Sequence, residues 1–443
     1  MLFWQLQVTV AQTAPSIISD SLQQILANCV ELENIPGGIV AIHHRSNNWV
    51  WKGQQGVANV TTMQVADTTF HYRIGSISKN VLAATVLHLV EHNLLSLDDG
   101  IEMWLDPSIT SQMPYSNQIT IKQLLNHTSG LYSYTGDQSF LLALLTNPDT
   151  SFSFIDIVDI SLSHPPDFIP GTNWNYNNTG YVILTDIIES ASGISYHQYA
   201  TDSILTPLGL NNTYFPVANN IPTNHMRCYA DYSQDGILED YTDLNTTWAL
   251  GAGEIVSTLE DQLTYFNQLL DGHVILETSY NEMRTPVAPH PTFTYGLGLV
   301  ILNNTIIGHG GSYFNTSGLW YFEDLDVIVA YQFNLHKIES YENFLFKIHA
   351  LLSNENLSTN ESEINQPVFN LFPNPADDYL SIYTEENKGT LHFKDLAGRT
   401  LKTMKIEAGT TKIDLIDLTS GVYLVILIDE QRNIIGQQKV VVR

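Results

Sequence analysis

Ser76 and Lys79 stand three residues apart in Tyr72-Arg73-Ile74-Gly75-Ser76-Ile77-Ser78-Lys79-Asn80, ahead of a run of good helix formers, Val81 to Leu87. The glycine before the serine and the helix formers after it predict a helix that starts at or just before Ser76. Three-residue spacing then brings the lysine close to the serine on one helix face. A hydroxyl at a helix N-terminus lies in positive potential, and an amine one turn on can take its proton or stabilise the alkoxide. The pair suits a nucleophilic serine activated by lysine. An ordinary exposed lysine in a first helical turn is the plainer alternative. Of the chain's eleven lysines, only Lys79 has a serine three residues before it.

Two further stretches carry residues able to join that chemistry. Phe168 to Tyr181 is rich in turn formers and aromatics and leads into an apolar helix. In it, Tyr176 and Asn178 are two apart and can point the same way. Tyr176 can act as a general acid or base if Lys79 lowers its pKa, and Asn178 can hydrogen-bond a substrate amide. Later, His309-Gly310-Gly311-Ser312 ends a strand-like run, and its two glycines permit a ligand to approach the backbone. His127, in Asn126-His127-Thr128-Ser129-Gly130, reads more simply as a loop histidine satisfied by backbone.

Those residues must be held by a scaffold, and the hydrophobic pattern outlines one. Residues 17–33 have helical spacing. Gly37 to His44 and Trp49 to Gly53 read as strands around an Asn-Asn turn. Helices are expected over 119–131 behind a Thr cap, over Tyr181 to Ala191, Leu259 to Asp271 and Tyr341 to Leu352. Tyr295 to Ile301, Thr305 to Ser312, Trp320 to Phe322 and Val327 to Phe333 read as strands. Helix and strands at both ends, with helices between, fit one antiparallel sheet built from both termini. The polar stretch 353–366 reads as a linker, and 367–443 as a small β-sandwich of short alternating segments.

Composition narrows the function class. The chain has 443 residues, 44% of them hydrophobic, and a formal charge of −28, nearly all within residues 1–366. Such acidity disfavours nucleic acid and anionic membranes, and it mostly serves solubility. The two cysteines, Cys29 and Cys228, leave pairing open. No CxxC or HExxH pattern suggests a metal, no cofactor motif is present, and no apolar run is long enough to span a membrane. Residues 1–15 read as a weak or truncated signal segment that lacks a positive start.

Taken in chain order, Ser76-Ile77-Ser78-Lys79, Tyr176-Asn177-Asn178 and His309-Gly310-Gly311 resemble the three motifs of the serine β-lactamase and penicillin-recognising family. The nearest branch holds class C β-lactamases, D,D-carboxypeptidases, D-aminopeptidases and esterases. The phrases ITIKQLLNHTSGL, PGTNWNYNNTGY and GAGEIVSTLED agree, and the resemblance covers about residues 16–352. It implies an α+β fold: a β-lactamase-like antiparallel sheet flanked by helices, with an all-helical subdomain. It also implies a cofactor-free acyl-enzyme mechanism. Ser76 attacks, Lys79 assists deprotonation, Tyr176 relays a proton to the leaving group, and the N–H groups of Ser76 and Ser312 form the oxyanion hole. β-Lactamases usually carry Lys-Thr-Gly where this chain has His309-Gly310-Gly311, and a neutral imidazole is a weaker anion site near pH 7. That departure favours a peptidase or esterase over a β-lactamase. Relatives often have a Pro-Gly turn after Ser312, where this chain has Tyr313-Phe314-Asn315. A non-catalytic ligand-binding protein on the same fold is the competing class.

The tail, with FNLFPNPADDYLSIYT, KDLAGRT and a basic end, resembles a type IX secretion C-terminal sorting domain. That implies recognition by the type IX export machinery and a secreted or cell-surface location reached through the periplasm. The expected substrate is a small molecule or peptide, peptidoglycan fragments included.

Overall fold

Strands from the two ends of the first 353 residues pair with each other in the computed structural model. It describes residues 12–217, 219–232, 235–289, 293–336, 339–358, 369–372, 376, 378–384, 389–394, 400–415, 417–419, 421–428 and 434–442. The chain forms two compact units, residues 1–353 and 354–443. In the first unit one sheet runs in the order Gln12–Thr13, Trp49–Asn59, Gly37–His44, Val327–Phe333, Thr316–Phe322, Ile306–Gly311, Val300–Leu302, Thr294–Tyr295 and Ala288–Pro289. Every neighbouring pair is antiparallel except the first.

The central strands are buried on both faces, and their two-residue period divides two cores. Ile39, Ala41, Ile328 and Ala330 join one core, while Val40, Ile42, Val327, Val329 and Tyr331 join the other. Helix Ser16–Leu32 and helix Glu339–Ser358 cover the second face through Leu22, Leu26, Leu345 and Ile348. On the first face lie helix Leu259–Leu270 and helix Ser78–Glu91. Each residue from Ser78 to Leu87 is buried, as expected of a helix that is apolar all round and packed between layers. Beyond it stand the short helix Ile121–Leu125 and helix Asn178–Ser192, which make the helical part. The α+β architecture expected from sequence is the one observed.

Four sequence expectations change. The helix at Ser76 opens as a 3-10 turn, Gly75–Ile77, before the α-helix begins at Ser78. The helix expected over 119–131 is only Ile121–Leu125; Thr120 and Gln123 form a capping box, and His127 leaves the helix at φ +66°. The run Tyr295 to Ile301 is a hairpin, with Thr294–Tyr295 returning as Val300–Leu302 around Gly298 at φ +66°. The last helix continues through Ser358, into the stretch whose polarity suggests a linker.

The second unit holds two antiparallel sheets. Asn370–Phe372, Tyr379–Thr384 and Gly409–Asp414 form one, and Thr400–Ile406, Gly389–Lys394, Gly421–Ile428 and Ile434–Val442 the other. Leu380, Ile382 and Ile413 from the first share a core with Leu391, Phe393, Val425 and Leu427 from the second. Residues 1–11 of the signal segment, residues 359–366 of the linker and the Ala397-Gly398-Arg399 turn lie outside the described residues.

Candidate active site

The turn that carries Ser76 is fixed by two glycine contacts. Gly75 has φ +55°, and a Cβ there would meet the Ser312 backbone nitrogen at 2.5 Å. Gly311 approaches from the strand side, where a Cβ would lie 2.0 Å from the Ile74 carbonyl oxygen. Gly311 is therefore explained by close packing of strand on turn rather than by ligand access. A Cβ at Gly310 would meet only ordinary contacts, with Trp320 at 3.7 Å and the Ser317 carbonyl at 3.9 Å. After Ser312, Phe314 takes φ +56°, and Asn315 accepts from the Tyr313 N–H and donates to the Arg73 carbonyl at 2.8 Å each. The asparagine thus ties the turn after the strand to the chain leading into Ser76.

Lys79 is completely buried. Its Nζ donates to the Ala252 carbonyl at 2.6 Å and to Ser76 Oγ at 3.1 Å. It also lies 4.9 Å from the Tyr176 ring centroid and 5.4 Å from that of Tyr181. Among the described residues no carboxylate pairs with it. Burial without a counter-charge pushes its pKa well below the ordinary lysine value, toward the neutral amine.

Tyr176 sits on a loop pinned to His127. Asn175 N–H donates to the His127 carbonyl, and Asn177 N–H donates to His127 Nδ1, both at 3.2 Å. Asn177 also caps the next helix by accepting from the Gly180 N–H at 2.8 Å, and its amide donates to the Leu131 carbonyl. The Tyr176 ring packs 4.4 Å from His127 and 6.2 Å from His309 between centroids. Its pKa is raised, not lowered, because burial destabilises the phenolate. The expectation that Lys79 would lower it fails because burial decides the direction. Sequence gave His127 a backbone partner, which it has; its ring is also the support under Tyr176.

Asn178 donates from Nδ2 to Thr135 Oγ1 at 2.9 Å, and its N–H donates to Ser133 Oγ at 3.1 Å. His309 is buried. Its Nδ1 donates to the Gly310 carbonyl at 2.5 Å, which leaves Nε2 to accept from the Tyr295 hydroxyl at 2.9 Å. Burial pushes the His309 pKa down to about 3, so the imidazole is neutral. Ser312 Oγ lies 2.7 Å from His336 Nδ1.

Two cavities meet at Ser76. One of about 370 Å³ is lined by Tyr176, Tyr295, His309, Gly310 and Trp320. The other, of about 470 Å³, is lined by Asn178, Tyr232, Trp248, Ser312 and His336. The structure therefore gathers Ser76, Lys79, Tyr176, Asn178, His309, Gly310, Gly311 and Ser312 at one place. Sequence reasoning left out Ala252, Tyr295 and His336. Ala252 stood in the phrase GAGEIVSTLED and Tyr295 in the strand-like run Tyr295 to Ile301, whereas nothing in the pattern singled out His336. Cys29 and Cys228 are buried in separate clusters and form no disulfide.

Comparison with known proteins agrees with this geometry. Residues 22–351 match the family described as Beta-lactamase, and residues 370–443 match the Secretion system C-terminal sorting domain. A penicillin-binding protein of Bacillus subtilis is 28% identical over 334 residues, 70% of this chain and 69% of its own length. Among solved structures, a D-stereospecific amidohydrolase from Streptomyces sp. is 30% identical, with TM-score 0.65 over 72% of this chain and 94% of its own. The D-amino acid amidase from Ochrobactrum anthropi SV3 shares the fold at 24% identity, with TM-score 0.68 over 77% of this chain and 100% of its own. The family match spans more than half of the chain and contains every residue gathered at Ser76, so the protein belongs to the beta-lactamase family, as a serine hydrolase whose type IX sorting domain marks it for the cell surface or beyond.

Proposed function

We propose that the protein hydrolyses an amide or ester bond of a small molecule or peptide through an acyl-enzyme on Ser76. The observation that carries this reading is the 3.1 Å contact between Ser76 Oγ and a completely buried Lys79 with no carboxylate partner among the described residues. A neutral amine at that distance can accept the serine proton as Oγ bonds to the substrate carbonyl carbon. The Ser76 and Ser312 backbone N–H groups, brought near each other by Gly75, then receive the oxyanion. Such donors typically contribute about 2.7–4 kcal/mol each. Tyr176, kept as a phenol by burial, hands a proton to the leaving nitrogen or oxygen as its bond to carbon breaks. Water releases the acyl group by the reverse sequence. Asn178 faces the second cavity, where it can bind the acyl group's polar atoms.

The neutral His309 favours amides and esters over β-lactams, whose carboxylate would meet no fixed charge from that side chain. The likeness to a D-stereospecific amidohydrolase supports amide substrates. The test is a panel of nitrophenyl esters, D-amino-acid amides, D-Ala-D-Ala peptides and nitrocefin, run on wild type and Ser76→Ala. Turnover of an ester or D-amide that vanishes in Ser76→Ala is expected, with nitrocefin slower. No turnover by wild type, or equal turnover by Ser76→Ala, would overturn the reading.

A further inference from the structure

The first cavity runs along an open strand edge. On strand Ile306–Gly311, the neighbouring Val300–Leu302 reaches only Ile306 to Gly308, so His309 to Gly311 extend past it. Side chains alternate on this strand: Ile307 faces the core of the Ser76 helix, while Ile306 faces the opposite core, with Trp320. Gly310 shares the parity of Ile306. Lacking a side chain, it leaves the space in front of Trp320 unfilled. The cavity enters there from Ser76, between Phe293, Val300, Leu302 and Trp320.

On its inner walls the polar side chains of Tyr295, His309, Thr316 and Ser317 are already engaged. The Tyr295 hydroxyl is bound to His309 Nε2, and His309 Nδ1 to the Gly310 carbonyl. Thr316 Oγ1 donates to the Leu335 carbonyl and Ser317 Oγ to the Ile74 carbonyl, both at 2.9 Å. The inner part therefore presents hydrocarbon and aromatic carbon. A polar or charged group placed there would lose its water without gaining partners, whereas an apolar group would gain from leaving water.

Which half of the substrate enters is set by the proton donor. Tyr176 lines this cavity and Asn178 lines the other. Resting on the proposed role of Tyr176, we propose that the first cavity is a leaving-group pocket. It takes an uncharged, apolar alcohol or amine, which reaches past Gly310 to Trp320. The acyl group occupies the second cavity. The enzyme thus selects substrates by an apolar departing group.

Unbranched alkyl acetates from ethyl to hexyl test this directly. They give the same acetyl-enzyme, and their leaving alcohols are nearly equally basic. The pocket predicts that kcat/KM climbs about three- to fourfold per methylene until the pocket is full. In Gly310→Val the hexyl-to-ethyl ratio falls at least tenfold, while ratios within a series of acyl groups on one common alcohol stay as in wild type. A flat alkyl series, or a Gly310→Val change that shifts both series alike, overturns the pocket; the wild-type series decides alone if the variant does not fold. Phenyl acetate is the control. If it acetylates Ser76 and the alkyl series is flat, only the pocket inference falls. If nothing acetylates Ser76, the acyl-enzyme reading falls and the pocket with it.

Discussion

A lysine shut away from water with no carboxylate beside it holds its proton weakly, and Lys79 is such a lysine. Its pKa falls below the unfolded value of 10.5, so the unfolded chain binds the extra proton. Stability therefore falls as pH drops from 10.5 to the folded pKa, and the penalty is absent only above 10.5. Lys79→Met should abolish hydrolysis, remove that slope and raise Tm at neutral pH, by roughly 1–2 °C per kcal/mol recovered; calorimetry at several pH values checks it. Tyr176→Phe should cost about 10²–10⁴-fold on amides and much less on nitrophenyl esters, whose leaving group needs no proton; parallel kinetics on the two substrate types test this. Sequence located both residues because their types and spacing are chemical signals. It misjudged the direction of the Tyr176 shift, because burial decides it and burial is a property of the surrounding fold.

At the scale of elements, the site depends on how closely backbone can approach backbone. Gly298 holds φ +66° where a Cβ would meet the Lys79 carbonyl at 2.7 Å, and Asn80 Nδ2 donates to the Gly298 carbonyl at 3.2 Å. The hairpin around it thus packs on the first turn of the Ser76 helix. The run Tyr295 to Ile301 reads from sequence as one strand, yet it turns at its glycines; apolar periodicity over seven residues does not distinguish the two. Gly311→Ala should drive the strand away from the Ile74 carbonyl, lowering Tm and reducing acylation by a reactive ester together. An unchanged Tm in a thermal melt would count against this packing. The longer elements were legible, since the nearly unbroken apolar runs of Gly37–His44 and Val327–Phe333 suit strands buried between two cores. The fall of His336 beside Ser312 was not, because it follows from pairings between strands far apart in sequence.

For the whole molecule, the sheet assembled from both termini was readable from element order alone, as was the change of pattern near residue 366. In the tail, Tyr379–Thr384 and Gly421–Ile428 were plain in sequence. Thr400–Ile406 was not, for its mostly exposed residues leave little apolar alternation. The tail has its own apolar core, separate from those of residues 1–353. Removing residues 354–443 should therefore leave ester hydrolysis within about twofold while abolishing delivery to the cell surface or medium. Fractionation with an activity assay reads both. Loss of hydrolysis together with export would show that the first unit does not stand alone.

The central claim is that Ser76 is the nucleophile and Lys79 its base. Intact-protein mass spectrometry after a fluorophosphonate, followed by peptide mapping, tests it most directly. One adduct is expected, located on Ser76, absent in Ser76→Ala and slowed at least 100-fold in Lys79→Arg, whose guanidinium stays protonated. An adduct on another residue, or equal labelling of Lys79→Arg, would contradict the account.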